Sequence, residues 1–132
     1  MTVFLSLEDL LLLVDDLAVG PVRDIGLLEA AARRPATQLW GRPAYPTLLD
    51  QAAVLIESLV RNHALVDGNK RLGWLAMVVF LDLNGMDLHA PPDPAYDLVI
   101  ALAAGEAQAT DVAEALACWL PGMDDQGSSR PR

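Results

Sequence analysis

Apolar positions recur along the chain at the three- and four-residue spacing of helices, in blocks separated by proline and glycine. Ser6, with Asp9 three residues on, reads as a capping box before the apolar run Leu10 to Leu13. The helix it opens runs to about Val19 and stops at Gly20-Pro21. A second helix is expected from Asp24 to Arg34, closed by Pro35. The stretch from Ala36 to Pro46 carries Gly41, Pro43 and Pro46 and predicts a loop or short hairpin. Thr47 and Asp50 form another capping pattern, and Leu48, Leu49, Ala52, Val54, Leu55, Leu59 and Val60 trace a helical face as far as His63. Val66-Asp67-Gly68 interrupts it. The next helix starts near Asn69, is apolar from Leu72 to Leu81, and ends at Asn84-Gly85. That apolar run predicts a central helix, buried on most sides.

Beyond it, Met86 to Leu88 reads as a short extended piece. Asp93-Pro94 opens a helix that ends by Gly105, and Thr110 caps a last one over Asp111 to Leu120. The expected fold is therefore all-α: a compact single-domain helical bundle over residues 1–122 with a short loop or β-hairpin flap. Residues 123–132 are polar without an apolar pattern and read as a disordered tail.

Composition narrows the function. The chain has 132 residues, one domain's worth, and a formal net charge of -9. Such a balance argues against direct nucleic-acid binding and against an anionic membrane surface. The longest charge-free apolar run, Leu72 to Leu81, has ten residues, whereas a membrane span needs about twenty. The N-terminus carries no basic segment of the kind that opens a signal peptide. The single cysteine, Cys118, excludes an internal disulfide, fits a reducing cytosol and is expected as a buried core thiol. A cytoplasmic location is the expectation. Hydrophobic residues make up 53% of the chain, enough to suggest an exposed apolar groove for a protein partner, although a bias towards Ala and Leu explains it equally well.

The chemistry concentrates between two helices, in Arg61-Asn62-His63-Ala64-Leu65-Val66-Asp67-Gly68-Asn69-Lys70-Arg71. Lys70 is the sole lysine, and it stands beside Arg71 at a helix start. The free N–H groups of such a start attract anions, phosphate in particular. Gly68 lets the backbone approach a ligand, and Asn69 can donate to a phosphoryl oxygen. His63 can act as a base near pH 7. Asp67 can orient His63, cap the helix or hold a metal ion on a phosphate chain. A base beside an anion cradle is the minimum for moving a phosphorus-containing group to a hydroxyl. On spacing alone a structural histidine and an ordinary Asp-Gly-Asn turn fit as well. His63 and His89 lie far apart, and no paired metal ligands are visible, so a metal enzyme is not expected. His89 reads as a surface loop residue.

These residues resemble the signature loop of the Fic/Doc family, His-x-Phe-x-Asp/Glu-Gly/Ala-Asn-Gly/Lys-Arg. His63, Asp67, Gly68, Asn69, Lys70 and Arg71 match six of its seven specified positions. A weaker likeness extends over about residues 5–120. Lys70, where AMP-transferases of the family carry glycine, and Trp74, in place of their second arginine, put the chain nearer the Doc type. The resemblance implies a helical toxin neutralised by a cognate small antitoxin, which would bind an apolar groove with the helix Leu7 to Leu17 as a candidate wall. It implies ATP and Mg2+ as cofactors, and phosphoryl transfer to a threonine of elongation factor Tu, which halts translation. His63 would then be the general base, and Asp67 would position the hydroxyl or the metal. Arg61, Gly68, Asn69, Lys70 and Arg71 would hold the phosphates, and Trp40 to Pro46 would form the flap over which a target segment lies.

There are departures. Leu65 replaces the phenylalanine that anchors the loop in the core. Lys70 should crowd the site where AMP-transferases hold the diphosphate, favouring an inverted nucleotide. AMP transfer through the same loop, and an idle antitoxin-binding module, stay open as other readings. The inhibitory Ser/Thr-x-x-x-Glu-Gly/Asn helix of many Fic proteins has only Thr110 to Glu114 as a counterpart, followed by Ala115, and this reads as an ordinary capped helix.

Overall fold

The structure, a computed structural model, describes residues 1–121. The expected tail at 123–132 lies outside the described residues. Six α-helices follow one another: α1 (Leu7–Leu17), α2 (Ile25–Arg33), α3 (Leu48–Arg61), α4 (Asn69–Leu83), α5 (Pro92–Ala103) and α6 (Ala109–Trp119). A single 3-10 turn, Arg34–Ala36, leads from α2 into a two-stranded antiparallel hairpin, β1 (Gln38–Leu39) and β2 (Arg42–Pro43). The fold is all-α, with the hairpin as its one sheet among the described residues.

The caps largely follow the sequence. Ser6 and Asp9 form the reciprocal box, with Asp9 N donating to Ser6 Oγ at 3.1 Å and Ser6 N donating to Asp9 Oδ2 at 2.8 Å. Thr47 Oγ1 accepts from Asp50 N at 3.0 Å and starts α3. Two starts differ. Helix α5 opens at Pro92 behind Pro91, not at Pro94, because prolines in a first turn give up no ladder bond. Helix α6 opens at Ala109 behind Gln108, whose N–H donates to Asp111 Oδ2 at 2.7 Å, so Thr110 is already inside the helix. Met86 to Leu88 forms no strand; Met86 N instead donates to Leu81 O at 2.8 Å, closing the end of α4.

The central helix is α3, not α4. Nearly every residue of α3 from Leu49 to Val60 is buried, including Gln51, Glu57 and Ser58. It packs against α2, the 3-10 turn, α4, α5 and α6. Close approach of α4 depends on Gly73, where a Cβ would stand 2.7 Å from Val60 Cγ2. Helix α4 buries Leu72, Ala76, Met77, Phe80 and Leu81, while Trp74, Leu75, Val78 and Val79 are only half-buried. Its run of apolar residues overstates its burial because one face borders a cleft. Cys118 is exposed, correcting the expectation of a core thiol. Val112 and Leu116 point inward on α6, and a residue two positions past Leu116 faces the opposite side.

Candidate functional site

The site loop begins where α3 ends. Asn62 is the C-cap, and His63 then adopts a left-handed backbone with φ of 54°. His63 is exposed, whereas Ala64 and Leu65 are each buried to 1% exposure. Leu65 thus keeps the anchoring role expected of the family's phenylalanine. Val66 and Asp67 return to the surface, and Gly68 caps α4.

A second segment braces this loop along its length. Gly20 N donates to Asp67 O at 2.9 Å, Val66 N to Pro21 O at 2.9 Å, and Arg23 N to Ala64 O at 2.7 Å. Val22 and Leu65 form an antiparallel bridge between them. Arg23 adds its side chain: both Nε, at 3.0 Å, and Nη2 donate to the His63 carbonyl. The connection between α1 and α2 is therefore the other half of the site loop.

Gly68 and Asn69 also make close contacts within the protein. Gly68 has φ of 94°, and a Cβ there would stand 2.4 Å from Val19 Cβ. Its close approach is to Val19, just past the end of α1. The Asn69 side chain is occupied with Leu65: Oδ1 accepts from Leu65 N and Nδ2 donates to Leu65 O, each at 3.0 Å. Asn69 ties both ends of the turn instead of offering its full amide outward.

What faces outward is the helix start with its cations. Leu72 N makes the first ladder bond, to Gly68 O at 2.9 Å, so the amides of Asn69, Lys70 and Arg71 lie ahead of the ladder. Lys70 and Arg71 are exposed. Arg71 Nη2 reaches Asp67 Oδ2 at 3.5 Å, a pair between two exposed side chains that exchanges partners at little cost. Behind these cations opens a cleft of about 590 Å3 between α4 and α5, floored by Trp74, Leu75, Ala95 and Val99 and reaching Leu17 of α1. Its size suits a small organic ligand, and its walls are mostly apolar apart from Lys70 and Arg71 at one end.

Arg61 is not brought to this loop. Its Nε donates to Leu102 O at 2.9 Å, Nη1 to Glu57 Oε2 at 3.2 Å, and Nη2 to Ala107 O. These bonds fasten α3 to the α5–α6 connection. Each nitrogen of the Arg61 fork thus has a partner within the protein. Asp67 is the one carboxylate in the sequence from Arg61 to Arg71. Among the described residues no three His, Cys, Asp or Glu side chains gather as a metal site, and His89 pairs with Asp87 at 3.0 Å in a surface loop.

Comparison with known proteins gives the family. The Fic/DOC family model matches residues 4–81, which run from the first residues before α1 almost to the end of α4 and include the whole braced loop. The chain belongs to the Fic/DOC family. It is 46% identical over 122 residues to the Toxin Doc of Mycolicibacterium smegmatis, covering 89% of this chain and 93% of that protein.

The Fic/DOC match stops before α5 and α6, yet α5 forms one wall of the cleft, and Leu102 of α5 and Ala107 of the α5–α6 connection are partners of Arg61. A buried polar hub joins them to the hairpin. Glu57, 8% exposed, accepts from Arg34 Nη1 at 2.8 Å, from Arg61 Nη1 and from Ala109 N at 2.9 Å. Arg34 also donates to Tyr45 OH at 3.2 Å and lies over the Tyr45 ring. Burial alone would depress the Arg34 pKa, but the bonds to Tyr45 and Glu57 outweigh it and raise the guanidinium above its ordinary value. Arg34 and Tyr45 stand at the two feet of the hairpin, which is thereby fixed to α3. Sequence reading missed Arg23, Val19 and Glu57. Most of their partners lie tens of residues away; the one local signal is the four-residue spacing of Glu57 and Arg61.

Proposed function

We propose that this Fic/DOC chain is a Doc-like toxin that transfers the γ-phosphoryl group of ATP to a threonine hydroxyl of a translation factor, elongation factor Tu, and that a cognate antitoxin neutralises it in the cytoplasm. The observation that carries this reading is the cleft beside α4, apolar along its walls and cationic only where the helix begins. A nucleoside fits the apolar part, and its phosphates would meet Lys70, Arg71 and the first amides of α4. His63, the exposed histidine of the same loop, would remove the proton of the threonine hydroxyl. The oxygen then attacks the γ-phosphorus, the bond to the β-phosphate oxygen breaks, and ADP leaves. Bringing the groups together and stabilising charge accounts for most of such a rate gain, and a rigid braced loop suits both tasks.

Mg2+ fits here only as part of the nucleotide. Asp67 is a single exposed carboxylate, and an ion of this kind takes one or two protein carboxylates and otherwise waters and phosphates. The hairpin with Trp40 at its tip would hold the target segment. The likeness to a Doc toxin over nearly that protein's full length supports the toxin role and the antitoxin partner.

Expression in bacteria tests this. Wild type should arrest growth and stop incorporation of labelled methionine, and His63→Ala should do neither. Equal arrest by both proteins would remove the loop chemistry from the account.

A further inference from the structure

We infer that Arg23 is a positioning residue for His63: its guanidinium grips the histidine carbonyl and fixes the backbone that carries the imidazole. The catalytic consequence rests on the function proposed above, but the grip is visible in the fold itself.

His63 sits where a helix ordinarily ends in glycine. Its φ of 54° is left-handed, a conformation most side-chain-bearing residues avoid. A residue there turns out of the helix, and its carbonyl lies beyond the α3 ladder. Arg23 binds it, with Nε at 3.0 Å and Nη2 on the same oxygen. The main chain of Arg23 meanwhile donates to the next carbonyl, Ala64 O, at 2.7 Å. One residue thus holds two consecutive carbonyls, with His63 governed by the side chain.

The choice of partner is informative. The chain has 18 acidic residues, yet Arg23 takes part in none of the ion pairs among the described residues. Its neighbour Asp24 is engaged elsewhere, accepting from Leu27 N at 3.1 Å as the cap of α2. A guanidinium fork aimed at a neutral carbonyl, in a chain rich in carboxylates, is placed for that carbonyl. The brace around it does not depend on this side chain. The bonds of Gly20 N, Val66 N and Arg23 N are main-chain to main-chain and use no atom of the Arg23 side chain. Truncation should therefore release His63 and leave Leu65 and Asn69 in place.

Full-length Arg23→Ala and Arg23→Lys proteins test this by NMR, thermal unfolding and ATP-dependent labelling. In Arg23→Ala the His63 Cα shift should leave its left-handed value while those of Leu65 and Asn69 stay. The unfolding midpoint should hold, and kcat should fall roughly ten- to a hundredfold with KM for ATP within about twofold. Arg23→Lys, with one donor in reach, should recover part of the His63 shift and part of kcat. An unchanged His63 shift and unchanged kcat in Arg23→Ala would overturn the inference. So would equal shifts at all loop residues with a lowered midpoint, the mark of a general brace. If wild type transfers no label at all, the proposed function fails alone, and the chemical shifts still decide the role of Arg23.

Discussion

Asn69 holds both main-chain groups of Leu65, accepting from its N–H and donating to its carbonyl at 3.0 Å each. Leu65 is 1% exposed, so water cannot readily replace either bond. Asn69→Ala should therefore destabilise the protein by about 2 kcal/mol in urea unfolding, the typical cost of buried polar groups left unpaired. Asn69→Asp keeps the acceptor and loses the donor, and it adds a carboxylate at a helix start. It should cost about half as much. Equal losses in the two variants would mean that the staple is not what matters.

Gly68 is constrained twice, by φ of 94° and by the Val19 side chain against its α-carbon. Gly68→Ala should cost roughly 2–4 kcal/mol, combining backbone strain with overpacking. Val19→Gly removes the clash and not the strain. A double-mutant cycle should show a coupling of about 1 kcal/mol or more between the two positions. Strict additivity would place the whole penalty in the backbone.

Glu57 gathers Arg34, Arg61 and the first amide of α6 around one carboxylate. Glu57→Ala leaves two partly buried guanidinium groups without their counter-charge and should cost about 3–5 kcal/mol. Hydrogen exchange should rise at the start of α6 and at the feet of the hairpin. A loss confined to α3 would contradict the hub.

Trp40, 98% exposed with φ of 55°, occupies a turn position that glycine fills more easily. Trp40→Gly should keep or raise the thermal midpoint. If the hairpin holds the target, labelling of the protein substrate should fall on the order of tenfold, as for loss of an aromatic anchor. Nucleotide binding should be unaffected. Full target labelling by Trp40→Gly would move target recognition elsewhere.

The helices were legible because apolar spacing and caps are local signals. Ser6–Asp9 and Thr47–Asp50 mark α1 and α3 within four residues, and Gly68 marks the start of α4. The depth of each helix was not legible. The apolar run in α4 pointed to the centre, but α3, carrying Gln51 and Glu57, lies there, because burial depends on which neighbours surround a face. The site divides in the same way. His63, Asp67, Lys70 and Arg71 are adjacent in sequence and share one loop. Arg61 is close in sequence too, yet its partners Leu102 and Ala107 lie in α5 and the α5–α6 connection, some forty residues on. The bracing segment from Gly20 to Asp24 reads locally as a helix break and nothing more. Only its pairing with Ala64 to Asp67 gives it a role.

The most direct test of the central claim is transfer of label to purified elongation factor Tu from ATP carrying phosphorus-32 at either the γ or the α position. Phosphoryl transfer predicts label on a threonine from γ-labelled ATP, none from α-labelled ATP, and none from either with His63→Ala. Label from α-labelled ATP that depends on His63 would contradict phosphoryl transfer and assign the same cleft to AMP transfer.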